Sequence, residues 1–144
     1  MDKIKMLAIV ERGKGKGNFT AFSVGNVNGS SFTGWGKTAR GAMDNIKLSV
    51  NEFKQMAAEN GEIFPDVEFD FRLDIGSFFD YYPLDVSQVA KYIGMNASVL
   101  RQYVSCARIP REHQIKTIKE GINKLAEDLA LGLMIDQPTV SYVN

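Results

Sequence analysis

Residues 67–74 read Val-Glu-Phe-Asp-Phe-Arg-Leu-Asp, an unbroken alternation of apolar and charged side chains. Successive side chains of a β-strand point to opposite faces, so the segment folds as a strand with Val67, Phe69, Phe71 and Leu73 against a core. Glu68, Asp70, Arg72 and Asp74 then face water. A two-sided strand of this kind is expected to pair antiparallel. A helix cannot use the same pattern, because its apolar residues would be spread around the whole cylinder. The chain therefore contains a sheet with one wet face.

Just upstream the period changes. Ala39, Ala42, Met43, Ile46, Val50, Phe53 and Ala57 recur at spacings of three and four, which predicts a helix over 39–59 with one buried stripe. Thr38 supplies the N-cap oxygen, and Asn60-Gly61 the left-handed stop. Before the helix, Lys3–Glu11 and Phe19–Val27 read as two strands joined by the Gly/Lys-rich link at 13–18, and a third short strand is expected around Phe32. The glycines of the link match neither the P-loop nor the dinucleotide fingerprint, and no helix pattern comes after them, so the link is read as a hairpin turn. Carboxylates on one strand face can share Mg²⁺. Here Arg72 stands between Asp70 and Asp74, and the single histidine, His113, lies far along the chain, so the face is read as solvated, with no metal site. The first half thus reads β-β-β-α-β, a small sheet covered on one side by a helix.

Residues 75–85 form an aromatic junction, expected to pack against a domain or a neighbouring subunit. From Val86 the rhythm is helical. Val86–Ile93 is a short helix, Gly94-Met95-Asn96 a tight turn, and Ala97–Val104 a second helix that Asn96 caps. The spacing of Ala90, Gly94 and Val99 is that of a helix-turn-helix: Ala90 lets the helices approach, and Gly94 permits the left-handed turn. The second helix is expected to present Asn96, Ala97, Ser98, Arg101 and Gln102, side chains of the types that contact bases and phosphates from the major groove. On the Ala-x₃-Gly spacing alone, two plain core helices around a glycine turn would be the better reading; the charge distribution, and the Arg108-Ile109-Pro110 turn leading into a further helix, favour DNA. Residues 86–124 carry seven Lys/Arg against two Glu, a net of +5, in a 144-residue chain whose formal charge is zero. Arg108, Arg111 and Lys116 belong to this block and are expected on phosphates.

Pro110 suits the start of a last helix over 111–134. Along it Ile115, Ile118, Ile122, Leu125 and Leu129 have the spacing of helix pairing. The first half of that stripe is expected on the helix pair, the second half on a partner chain. Residues 136–144, with a β-prone stretch at Thr139–Val143, form a tail with no assigned place.

Cysteine usage and hydropathy exclude several classes. A lone cysteine, Cys106, rules out an internal disulfide and a Cys-based metal site. Met1–Val10 lacks the cationic head and apolar core of a signal peptide, and no apolar run approaches the roughly 18 residues of a membrane helix. A reducing, cytoplasmic setting is expected, without membrane association. No histidine or cysteine nucleophile has a partner, so no catalytic residue and no cofactor are expected.

With both halves in place, the chain resembles the HicB antitoxin family of bacterial toxin–antitoxin systems. The N-terminal resemblance lies in Asn28–Ala42, where Gly36, Thr38 and Ala42 match the family's Gly-x-Thr…Ala pattern opening the helix. The C-terminal resemblance lies in Phe78–Tyr82 and Val89–Tyr103, and the two together span about residues 3–130. Two departures occur: Asn26-Val-Asn28 stands where the family usually has Asp and Pro, and Ala39-Arg40-Gly41 replaces the acidic residues common after the helix-opening Thr. The resemblance implies an α+β chain, with a partial ribonuclease-H-like domain over 1–76 followed by an all-α helix-turn-helix domain over 77–135. It implies that the first domain binds a HicA-type mRNA interferase toxin and that the second represses the operon at its operator DNA. A lone helix-turn-helix makes few base contacts, so a homodimer or higher oligomer is expected, reading paired half-sites. Two other functions compete. One is a stand-alone transcription regulator whose first domain only dimerises or senses a ligand. The other is an enzyme, disfavoured because no acidic cluster has metal-ligand spacing.

Overall fold

In the computed structural model, residues 3–14 and 17–134 are described. Their elements are β1 (Ile4–Arg12), β2 (Phe19–Ser23), β3 (Thr33–Gly36), α1 (Ala39–Glu59), β4 (Val67–Leu73), α2 (Ile75–Tyr81), α3 (Val86–Ile93), α4 (Ala97–Val104) and α5 (Glu112–Gly132). The chain is α+β, with four strands in one mixed sheet ordered β3-β2-β1-β4. The tail at 136–144 lies outside the described residues.

β1 and β2 form the expected hairpin, antiparallel with Val10 opposite Ala21, and β3 continues it on the β2 side. The third strand begins one residue after Phe32. Phe32 itself turns under α1, 1% exposed, and meets Phe53, Phe64 and Phe69 edge-on. β4 corrects an expectation. It pairs with β1 in parallel, Ile4 beside Val67 and Val10 beside Leu73. The chain returns to the sheet through α1, and a helical crossover delivers the next strand pointing the same way. The alternation persists because β4 is an edge strand, covered on one side only.

α1 lies on the inner face. Its buried residues Ala39, Ala42, Met43, Ile46 and Val50 close a core with Met6, Ala8 and Val10 of β1 and Phe19 and Ala21 of β2. The helix sits unusually close to β3 because glycines face it there. A Cβ on Gly36 would lie 2.5 Å from Ala42 N, and one on Gly34 would meet the backbone of Ala42 and Ile46. Thr38 caps the helix as expected, its Oγ1 accepting from Gly41 N at 2.9 Å.

The aromatic junction is a helix, not a linker. Asp74, read from the alternation as a water-facing residue, is its N-cap: one carboxylate oxygen accepts from Ser77 N at 2.8 Å and the other from Arg12 N at 3.0 Å. A capping side chain and the aromatic residues behind it make α2 a bridge. Tyr81 packs on the sheet-side core, Phe79 belongs to a second core with α3, α4 and α5, and Asp80 accepts from Ala39 N at 2.8 Å, tying α2 to the start of α1. The boundary expected between residues 76 and 77 falls inside this helix. Among the described residues, no helix is long and apolar enough to cross a membrane.

Candidate nucleic-acid interface

α3 and α4 owe their crossing to three local features. Asp85 caps α3, accepting from Ser87 N at 2.9 Å. Gly94 ends it in the left-handed region, φ 76° and ψ 28°, a conformation that costs about 1–2 kcal/mol for a residue with a Cβ. Two residues on, the side-chain oxygen of Asn96 accepts from Ser98 N and Val99 N at 2.9 and 3.2 Å and starts α4. Where the helices meet, Ala90 and Leu100 are fully buried, with Val89 and Tyr103 nearly so. α5 lies across them. Its Ile118 is buried in the same core, joined by half-buried Ile122 and Leu125, and Gly121 leaves room for the Ile93 side chain, which a Cβ there would strike.

Of the residues singled out from the sequence, Asn96, Ser98, Arg101, Gln102, Arg108, Arg111 and Lys116 are exposed. Ala97 is the exception. It is half-buried and packs against the second core, because the first turn of α4 rolls its apolar side inward. α4 carries Ser98 in its first turn and Arg101 and Gln102 one turn on, with Asn96 at its cap. The Arg101 guanidinium donates to Ser87 Oγ on α3 at 2.8 Å, so the arginine is held across the helix pair. Arg108 lies close by, its N–H donating to the Gln102 carbonyl at 3.2 Å. Arg111 is the N-cap of α5, its N–H donating to Gln114 Oε1 at 3.0 Å. Lys116 lies one turn further, 4.0 Å from Glu120 in an exposed pair of the sort that contributes little.

Three positioning residues have no local sequence signal. Ser87, which anchors Arg101, looks like any first-turn serine. Arg12, at the end of β1, donates to the carbonyl of Val104 at 3.0 Å, satisfying a terminal acceptor of α4 with a cation at the negative end of the helix. Gly76 lets these groups meet: a Cβ there would lie 2.8 Å from both Arg12 Cδ and Val104 O. Cys106, at φ 64°, turns the chain away after α4, with its thiol 3.5 Å from the Arg12 carbonyl. Burial pushes the Cys106 thiol up, helped by the nearby Asp74 charge and opposed by Arg12, so at neutral pH it is protonated and a poor nucleophile.

Leu125, expected on a partner chain, packs instead on the second core, and the α5 stripe emerges only beyond it. Leu129 is 59% exposed and Leu133, just past the helix, 77%. Tyr92 on α3 donates its hydroxyl to Asp128 on α5, and that hydrogen bond, ahead of burial and nearby acidic charge, raises the tyrosine pKa. Among the described residues, no group of three or more His, Cys, Asp or Glu side chains could hold a metal ion.

Comparison with family models, with curated proteins and with solved structures found no match to this chain.

Proposed function

We propose that the chain is a HicB-like antitoxin without catalytic activity, in which α3 and α4 form a helix-turn-helix that binds operator DNA and the sheet domain binds and masks a small toxin of the HicA type. The observation that carries the DNA half of the reading is the coincidence of two independent features. A left-handed Gly94 and the side-chain cap supplied by Asn96 set α4 against α3, and the exposed side chains of α4 and of the segment after it belong to the one cationic block of the chain. In this reading α4 enters the major groove, Arg101 and Gln102 meet base edges, and Arg108, Arg111 and Lys116 meet phosphates. The exposed second half of the α5 stripe supports a dimer, which would read two half-sites about one helical turn apart.

A second reading is a stand-alone regulator whose sheet domain has no toxin. The departures at Asn26–Asn28 and Ala39–Gly41, in the domain that would engage the toxin, favour it. One experiment separates the two. The chain is co-expressed with the reading frame beside its own, and the purified material is titrated with DNA from its own promoter and with random DNA. Specific binding together with a stoichiometric small basic companion supports the antitoxin. Specific binding without a companion supports the regulator. Equal affinity for both DNAs sinks both readings.

A further inference from the structure

The outer face of the sheet is uncovered by any described element, yet its centre is not polar. Leu7 on β1 is 39% exposed, and Val24, just past β2, is 47% exposed; their side chains are neighbours, since Val24 N donates to the Leu7 carbonyl at 2.8 Å. The next row pairs Ile9 with Phe22, both half-buried. Trp35, 55% exposed, stands at the β3 corner of the same face. A contiguous apolar patch on a face that alternation would leave to water marks an interaction site.

The charges around the patch say which partner fits. On its outer side β1 reads Lys5, Leu7, Ile9, Glu11, cationic at one end and anionic at the other. Beside it on β4, Asp70 lies in the row of Leu7 and Arg72 in the row of Ile9. A two-fold axis lying in the face, across the strands and between those two rows, turns the pattern onto itself. Lys5 then faces the Glu11 position of a second copy, Leu7 faces Ile9, Val24 faces Phe22, and Asp70 faces Arg72. Leu7, Ile9, Phe22 and Val24 each meet an apolar side chain, and Lys5 and Glu11 each meet an opposite charge. Asp70 and Arg72, already paired within the chain, face the same pair of the second copy. Glu68 falls opposite Asp74, whose carboxylate is turned to cap α2 and to accept from Arg12 N, and Trp35 lies outside the overlap. An excess of one sign would suit a strongly charged partner, whereas this face is complementary to itself.

We infer that the open sheet face is a self-association surface, on which two copies of this chain pack sheet to sheet about that axis. Aligned sheets pack about 10 Å apart with strands inclined by roughly 30°, which the twist of each sheet accommodates. Four strands about 4.8 Å apart and some six residues long present roughly 300–400 Å² per copy. The two copies together then bury roughly 600–800 Å², below the ~1,200 Å² total of a standard interface, so the contact is weak alone and strengthens wherever another interface already holds two copies together. The inference is independent of what α4 binds.

The test is a charge swap in the full chain, read by sedimentation from micromolar to millimolar concentration, with Leu129→Asp and Leu133→Asp present throughout to silence the α5 stripe. Glu11→Lys alone and Lys5→Glu alone should each weaken self-association about tenfold, because symmetry makes every substitution act twice. The double variant restores the pairing with its signs exchanged and should return association to the parental level. Both residues are exposed, so circular dichroism should show the fold unchanged. A parent that stays monomeric throughout overturns the proposal. So do single variants that associate like the parent, or a double variant that fails to recover. Loss of a co-expressed basic partner, with self-association unchanged, would assign the face to that partner and equally overturn it.

Discussion

Arg101 and Lys116 sit in one cationic block, but the structure gives them different surroundings. Arg101 projects from α4 and is held by Ser87 Oγ, a pre-oriented donor fork suited to a base edge. Arg101→Ala should cost roughly 1–3 kcal/mol of operator binding and leave random DNA nearly unaffected. Lys116→Ala should weaken both DNAs alike and reduce the salt slope by about one counterion. Anisotropy titrations across a salt series with both DNAs decide this; equal losses for Arg101→Ala would make it a backbone contact. Arg12 acts at the other end of α4. Its bond to the Val104 carbonyl is charge-assisted, and the same guanidinium lies over the Phe19 ring, so Arg12→Met, which removes both, should lower stability by about 1.5–3 kcal/mol in urea unfolding. A loss near zero would mean that solvent satisfies that carbonyl equally well.

Among the elements, the short helices depend on their ends and α1 on its seat. α3 and α4 have eight residues each, too few to be stable alone, so the turn between them carries much of their definition. Gly94→Ala should cost about 1–2 kcal/mol, from left-handed strain alone, since nothing lies within 4 Å of its Cβ position. Gly36→Ala is a different case, because the obstruction is the backbone of α1 and cannot yield by a rotamer change; about 3 kcal/mol or more is expected. Thermal unfolding of both variants measures the contrast, and a Gly36→Ala protein as stable as the parent would show that α1 can shift on the sheet. The alternation at 67–74 identified a strand and its two faces, but not the direction of its neighbour. Direction depends on the length and path of α1, a relation between elements that no local pattern carries. Likewise, the aromatic run at 78–82 announced burial, while the helix it forms depends on Asp74 leaving the outer face to cap it.

At the scale of the whole molecule, charge and apolar surface are segregated. The net +5 between residues 86 and 124 is balanced by acidic flanks, which keeps the total at zero while leaving one region attractive to a polyanion. The exposed end of α5 is the second asymmetry. Leu129→Asp together with Leu133→Asp should abolish the dimer proposed to form there and reduce operator affinity by far more than random-DNA affinity, because half-site pairing is lost. Sedimentation and DNA titration of the same preparation check both consequences. A dimer that survives would place the contact elsewhere.

By itself the sequence determined the features that near neighbours control: the hairpin, the span and cap of α1, the two faces of β4, the α3-turn-α4 unit and the location of the cationic block. These rest on periodicity, capping chemistry and glycine conformation, each of which acts within a few residues. Only the tertiary structure decided that β4 runs parallel to β1, that Ala97 turns inward, that Ser87 holds Arg101, and that Arg12 and Val104, 92 residues apart, meet over Gly76. It also brought Lys5, Leu7, Ile9 and Glu11 beside Asp70 and Arg72 on one face. Such contacts are set by which elements pack together, and packing is chosen by the burial of whole faces, not by any one segment's own pattern.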